Sequence, residues 1–318
     1  MTDSHIVGET TFSGLFPNHR SRLLWALCAI VLGVLIAGFW NYHWVDGFGK
    51  DFVAGQTIGD TERLSGSYNE QGVGFGFIFA IVAGLAATFT ACNCVVFAML
   101  PGLACSSDGA GSPRQLALKA LGVFTLSVLL VCFVYGAYIG TLGAERIGVF
   151  NERPNRLAQA QIIFTALGGV LFVWGLISFG FLDRVITRLP KGLLRFFASP
   201  LTKAGLMGVL VGLFAVGRPF PVFRDFLAYA AASENSLYGG AVMAVQGIGQ
   251  ILVMVLLFLL LLVPFSKRIA NWASRHPGKL EQFSAAALLA GGSYFIFYWG
   301  LAFAYDVGRW GFKLNWYS

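Results

Sequence analysis

Charge is scarce in this chain. Of its 318 residues only 12% are Asp, Glu, Lys or Arg, against about 25% in soluble globular domains. A water-soluble enzyme of ordinary composition is excluded. Histidine is scarcer still, with His5 and His19 in the N-terminal tail, His43 at the end of an apolar run and His276 in a basic loop. No clustered histidine set therefore supports a metal centre, and the cysteine spacing is not a zinc pattern. Cysteine itself is low and odd in number, at five, which excludes a fully paired disulfide framework. None occurs after Cys132. There is no P-loop, no GxGxxG followed by a suitable acid and no helical HExxH. No cleavable signal peptide is expected, because the start is polar as far as Arg22 and the apolar run beyond it exceeds a signal core.

What the chain has instead is apolar mass. Hydrophobic residues make up 57%, with 30 Phe and 40 Gly, and mean hydropathy is +0.71. Apolar windows of about 20 residues each span a bilayer as a helix. Seven are read, near 22–41, 73–100, 116–142, 161–182, 204–231, 237–264 and 284–304. The expected fold is an all-α polytopic membrane protein whose first partner is the lipid bilayer. Glycine in such spans lets helices approach closely. The net charge of +7 belongs to loops under the positive-inside rule, so no nucleic-acid partner is expected.

Loop charge sets the direction. The segment 183–203 carries Arg184, Arg188, Lys191, Arg195 and Lys203, and 265–283 carries Lys267, Arg268, Arg275 and Lys279. The segment 42–72 carries Asp46, Asp51, Asp60, Glu62 and Glu70 against Lys50 and Arg63. With the N-terminus inside, roughly 13 basic residues fall on the inner side and about 7 outside. Only 143–160, with Arg146, Arg153 and Arg156, runs against the rule. The expected location is a bacterial inner membrane, with the N-terminus cytoplasmic and the C-terminus periplasmic. Trp40, Tyr42, Trp44, Trp310, Trp316 and Tyr317 read as interfacial belts.

The organisation then divides as a tail (1–21), a first helix with its outer loop (22–72), three spans (73–182), a basic loop (183–203), three more spans (204–304) and a tail (305–318). Both groups of three open on a glycine-rich stretch that ends in a polar, broken segment. The first runs from Gly84 to Cys92-Asn93-Cys94, and the second from Gly208 to Arg218-Pro219-Phe220-Pro221. Groups with an odd number of spans face opposite ways, as in inverted-repeat transporters whose sites lie at interrupted helices. Proline within a span frees carbonyls that only protein or a cavity can satisfy.

Phe89-Thr90-Ala91-Cys92 resembles the Phe-Thr-Pro-Cys segment of the DsbD/CcdA thiol electron carriers, over roughly residues 73–304. That resemblance implies two inverted repeats, each with one cysteine beside a helix-breaking proline, passing reducing equivalents from cytoplasmic thioredoxin to partners outside. The departures are specific. Ala91 replaces the proline, Cys94 is extra, and Pro219 is followed by Phe220 rather than cysteine. The paired relay of the family therefore cannot operate unchanged. The extra first span and altered motif resemble the methylamine-utilisation (MauF) branch. That branch implies service to periplasmic methylamine dehydrogenase subunits or their maturation proteins.

Several residues carry alternatives at this point. Cys92 and Cys94 are candidate redox thiols, while Cys28 and Cys132 read as small buried hydrophobes. A soft-metal reading groups Cys92, Cys94, Met99 and Cys105 as copper(I) ligands. Cys105 alone reads as a bystander or a resolving thiol. Arg218, Arg224 and Asp225 are charges within a span and must face a cavity or a partner. Arg218 and Asp225, seven apart, would share a face as an ion pair, or the break would bind an anionic group. Gln246 and Gln250 either line the same cavity or link helices. No cofactor is expected. The leading function is an inner-membrane biogenesis protein that handles thiols or moves a component for methylamine dehydrogenase. Its rivals are a small-molecule or soft-metal transporter and a non-catalytic scaffold.

Overall fold

The computed structural model describes residues 19–88, 113–186, 188, 190, 199–275 and 279–317. Every regular element among them is helical. Seven helices are long and apolar enough to cross a bilayer, as the hydropathy pattern requires. Helix is the necessary form there, since each backbone N–H and C=O must be satisfied without water.

In chain order, α1 is His19–Gly38. A cap follows, made of α2 (Tyr42–Gly47), a π-helical turn Phe48–Ala54 and α3 (Thr61–Ser65). Asn41 starts α2 by accepting from the His43 amide, and Asp60 starts α3 by accepting from the amides of Glu62 and Arg63. The second span, α4, is Tyr68–Thr88 and the third, α5, is Pro113–Gly140. A short α6 (Gly143–Asn151) leads into α7, Arg153–Ser178. The fifth span is divided into α8 (Pro200–Gly217) and α9 (Pro221–Ala231). The sixth, α10, is Ser236–Arg275, and α11 (Lys279–Phe295) continues through the π-helical Ile296–Ala302 to Tyr305. A last turn, α12, is Trp310–Lys313.

These bounds revise the expectation in three places. The segment 42–72 is not an open loop but the helical cap and the first turn of α4. The segment 143–160, whose arginines ran against the charge rule, is α6 and the start of α7. The fifth span is not continuous over 204–231, because Arg218 and Phe220 are extended between its two halves.

Both ends of the bundle are tied across helices. At one end the Tyr317 hydroxyl donates to the Phe39 carbonyl at 2.6 Å, and Phe39 stacks on Trp316 at 4.8 Å. Aromatic residues after α1 and near the C-terminus thus pack into one cluster. At the other end Arg22 donates to the Gly180 carbonyl at 3.3 Å and lies over the Phe181 ring. Successive spans therefore alternate in direction, and the basic residues Arg22, Arg184, Arg188 and Lys203 share the second end.

The packing has an internal correspondence. Helix α4 packs on α10 as α8 packs on α5, while α5 pairs with α10 and α7 with α11. Exchanging α4, α5 and α7 for α8, α10 and α11 maps this set of contacts onto itself. Helix α1 lies outside the scheme, against α11. Glycine makes the closest crossings. A side chain at Gly239 would collide with the Gly136 carbonyl, and one at Gly292 would meet the Phe172 backbone within 2.6 Å. Backbones this close gain dispersion contacts that lipid cannot replace.

Candidate functional site: the broken fifth helix

Pro219 and Pro221 supply no backbone N–H, and Pro221 sits in the first turn of α9, where none is needed. The last carbonyls of α8 therefore lose their helical donors inside the bundle. Helix α8 is about 27 Å long and α9 about 16 Å, so the break is well below the end of the span. Neighbouring side chains meet the freed groups. Arg224 Nε donates to the Arg218 carbonyl at 2.7 Å, and Gln159 Nε2 donates to the Val216 carbonyl at 2.7 Å.

Arg224 is 2% exposed, and each of its guanidinium nitrogens has an acceptor. Besides the break, Nη2 donates to Gln159 Oε1 at 3.2 Å and Nη1 reaches Asn151 Oδ1 at 3.5 Å. Asn151 returns a bond from Nδ2 to the Arg224 carbonyl at 3.0 Å. The Phe150 ring lies 5.4 Å from the guanidinium carbon. Arg224 thus joins the break, α6 and α7 through neutral oxygens.

Arg218, 1% exposed, faces the other way. Its Nη1 donates to Gln250 Oε1 at 3.0 Å, the oxygen that Gln246 Nε2 also approaches at 3.5 Å. Gln250 donates to the Val211 carbonyl, and its own carbonyl accepts from Thr88 Oγ1 at 3.0 Å. One polar chain thus runs from the break through α10 to the last described residue of α4. Gln246 Oε1 is buried with no hydrogen-bond partner among the described residues.

The expected pairing of Arg218 with Asp225 does not occur. The extended residues at the break rotate α9, and Asp225 Oδ2 instead accepts from Thr61 Oγ1 of the cap at 2.6 Å. The structure does bring together Arg218, Pro219, Pro221, Arg224, Gln246 and Gln250 around one break. Cys92, Cys94, Met99 and Cys105 lie outside the described residues. Cys28 is exposed and Cys132 is fully buried, its sulfur filling the space beside Gly247. Among the described residues no group of three His, Cys, Asp or Glu could hold a metal ion.

Asn151, Gln159, Thr61 and Thr88 take part in these contacts and were not identified from sequence. Asn151 and Gln159 both fall in the segment 143–160 read as an outer loop, and they sit on different helices, α6 and α7, so no single helical period relates them. The cap was missed altogether. Gly49 packs so tightly there that a Cβ would lie 2.5 Å from the Ala86 carbonyl and 3.2 Å from the Phe220 ring. Asp46, in α2, is pushed up to about 6 by burial, which the nearby Arg218 partly offsets. Above the break, cap and α9 leave a cleft of about 600 Å³, lined in part by Lys50, Asp51, Glu62, Arg156, Pro221 and Asp225.

Over 180 residues the chain is 27% identical to the thiol:disulfide interchange protein DsbD of Pseudomonas sp. (strain JR1 / K1), covering 57% of this chain and 30% of that protein. Over 196 residues it is 27% identical to the thiol:disulfide interchange protein DsbD 2 of Pseudomonas aeruginosa, covering 60% and 32%. The matches thus span about a third of the length of these curated relatives. No protein-family model matches the chain, and no solved structure does. Its seven apolar helices make the chain a multi-pass membrane protein, with distant similarity to DsbD proteins over part of its length.

Proposed function

We propose that this protein carries reducing equivalents across a bacterial inner membrane, using Cys92 and Cys94 at the end of the second span. The carrying observation is the hydrogen-bonded chain from Arg218 through Gln250 to Thr88, four residues before Cys92. A buried guanidinium at that point favours a thiolate, the reactive form of cysteine, over a neutral thiol. Such chemistry fits the DsbD similarity and the contact pattern of two exchanged halves. The reading includes inverted repeats over 73–182 and 204–304, with the N-terminus cytoplasmic and the C-terminus periplasmic. With no cysteine in the second half, Cys92 and Cys94 form the exchanging pair. A Cys-X-Cys disulfide closes a small, strained ring and is readily reduced. The service we assign is maturation of periplasmic methylamine dehydrogenase, from the resemblance to the methylamine-utilisation branch.

Thiol trapping tests the chemistry. Cells quenched in acid and alkylated with a mass-tagged maleimide should show Cys92 and Cys94 shifting between oxidised and reduced forms with the redox poise of the culture. Cys92→Ser should abolish growth on methylamine at normal membrane abundance. If both cysteines stay reduced under all conditions and the double serine variant matures active dehydrogenase, the protein is a scaffold.

A further inference from the structure

We infer that the cleft above the helix break is the docking surface for the external thiol protein, and that it selects a partner whose reactive cysteine is surrounded by cationic side chains. This deepens the thiol reading and rests on it. The cleft holds about 600 Å³, and its floor includes Pro221, the first residue after the break. An occupant therefore sits directly over the segment whose other side carries the Arg218 network. The walls come from separate elements: Lys50 and Asp51 from the π-helical turn, Asp60 and Glu62 from the start of α3, Arg156 from α7 and Asp225 from α9. Small-molecule sites of this size are mainly apolar. This lining is charged, which suits a polar loop of a folded protein.

Four carboxylates against two cations give the cleft a negative balance. Two of the four are fixed by the fold, Asp60 as the α3 cap and Asp225 by Thr61. They hold the shape of the cleft. Asp51 and Glu62 are exposed and free to meet a partner. The cleft also opens at the end of the bundle away from Arg22, Arg184, Arg188 and Lys203. A concave surface with a net charge of one sign concentrates ligands of the opposite sign, by about 10-fold or more in strongly focusing clefts. In the exchange itself, a thiolate of this chain attacks one sulfur of the partner disulfide. The partner's S–S bond breaks, a mixed disulfide forms, and the departing sulfur leaves as a thiolate that takes a proton from water.

Two symmetrical disulfides of opposite charge test this, cystamine with two ammonium groups and dithiodiglycolate with two carboxylates. Each rate is taken relative to that of a small free thiol with the same disulfide, which removes the difference in leaving-thiol pKa. On that scale the reduced full-length protein in neutral detergent at low salt should release thiol from cystamine about 10-fold faster. The preference should fall as salt rises. In the double variant Asp51→Lys/Glu62→Lys it should disappear or reverse, with no change in thermal stability. Equal rates in the wild type, or an unchanged preference in the variant, would overturn the proposal. A second measurement separates it from the thiol reading. The chain with Cys92 and Cys94 replaced by serine should still bind a fluorescent lysine-rich peptide, and lose that binding in the double lysine variant. Peptide binding without exchange defeats the thiol chemistry and keeps the cleft. Exchange with no charge preference and no peptide binding does the reverse.

Discussion

Replacing Arg224 by methionine tests whether the break is held together by its guanidinium. Methionine fills similar space and removes both the charge and every donor. Three acceptors then lose their partner: the Arg218 carbonyl at 2.7 Å, Gln159 Oε1 at 3.2 Å and Asn151 Oδ1 at 3.5 Å. The last is long enough to count for little. A hydrogen bond to a charged group contributes about 1.5–3 kcal/mol, and an orphaned buried acceptor costs about 1–3 kcal/mol. The two good bonds thus amount to roughly 3–6 kcal/mol. Removing a buried charge gives back several kcal/mol of desolvation at most. Because all three acceptors are neutral oxygens, the loss leaves no stranded counter-charge, and the net cost should be about 3 kcal/mol. Reversible unfolding in mixed detergent micelles, followed by tryptophan fluorescence, reads that cost. Arg224→Lys is the discriminating control. It keeps the charge, but one ammonium cannot reach acceptors on the break, α6 and α7 together. If lysine restores full stability, charge and not the planar fork holds the break. If methionine is within about 0.5 kcal/mol of wild type, the accounting of the freed carbonyls is wrong.

Other perturbations have equally definite outcomes. Asp46 has its pKa raised from 3.8 to about 6 in the folded protein, so the folded state holds a proton that the unfolded state releases. Stability should rise as pH falls through about 6 toward 4 and be lower above it, by at most about 3 kcal/mol. Asp46→Asn should flatten that profile and be more stable than wild type at pH 8, read by the same unfolding assay. Gly239→Ala places a methyl against the Gly136 carbonyl and Gly140. It should cost about 1–3 kcal/mol, whereas Gly148→Ala, with nothing within 4 Å, should be neutral. An alkaline phosphatase fusion after Ser318 should be active and one in the loop 183–203 inactive. The opposite result would reverse the orientation.

The spans were legible in the sequence because lipid exposes its demand in composition. A run of about 20 apolar residues has few other uses. Their ends were less legible. Helix α4 begins at Tyr68 and α7 at Arg153, well outside the apolar windows, because polar first turns are tolerated once the helix leaves hydrocarbon. The break itself was announced by Pro219 and Pro221, which cannot donate in any fold. What periodicity could not supply was the direction of side chains beyond the break. Counting seven residues from Arg218 to Asp225 assumes one continuous helix. Two extended residues intervene, and the rotation sends Asp225 to the cap while Arg218 turns toward α10.

That same rotation explains how two arginines and an aspartate coexist within a few residues in an apolar bundle. Adjacent charges on one regular helix face would demand either mutual pairing or a shared aqueous cavity. Here each goes to a different neighbour: Arg218 to Gln250 on α10, Arg224 to Gln159 on α7, and Asp225 to Thr61 in the cap. In these contacts neutral amide and carbonyl oxygens accept from both cations. Asp46 in the cap registers the charge of Arg218, which partly offsets the effect of burial on its carboxyl. A thiol at the end of α4 would register it as well. Arg218→Gln keeps a hydrogen bond to Gln250 within reach and deletes only the charge. It should slow maleimide labelling of Cys92 and Cys94 at pH 7 several-fold by lowering their thiolate fraction, while leaving the labelling rate of Cys28 unchanged. An equal rate at all sites would mean that Arg218 closes the fold and does nothing for the thiols.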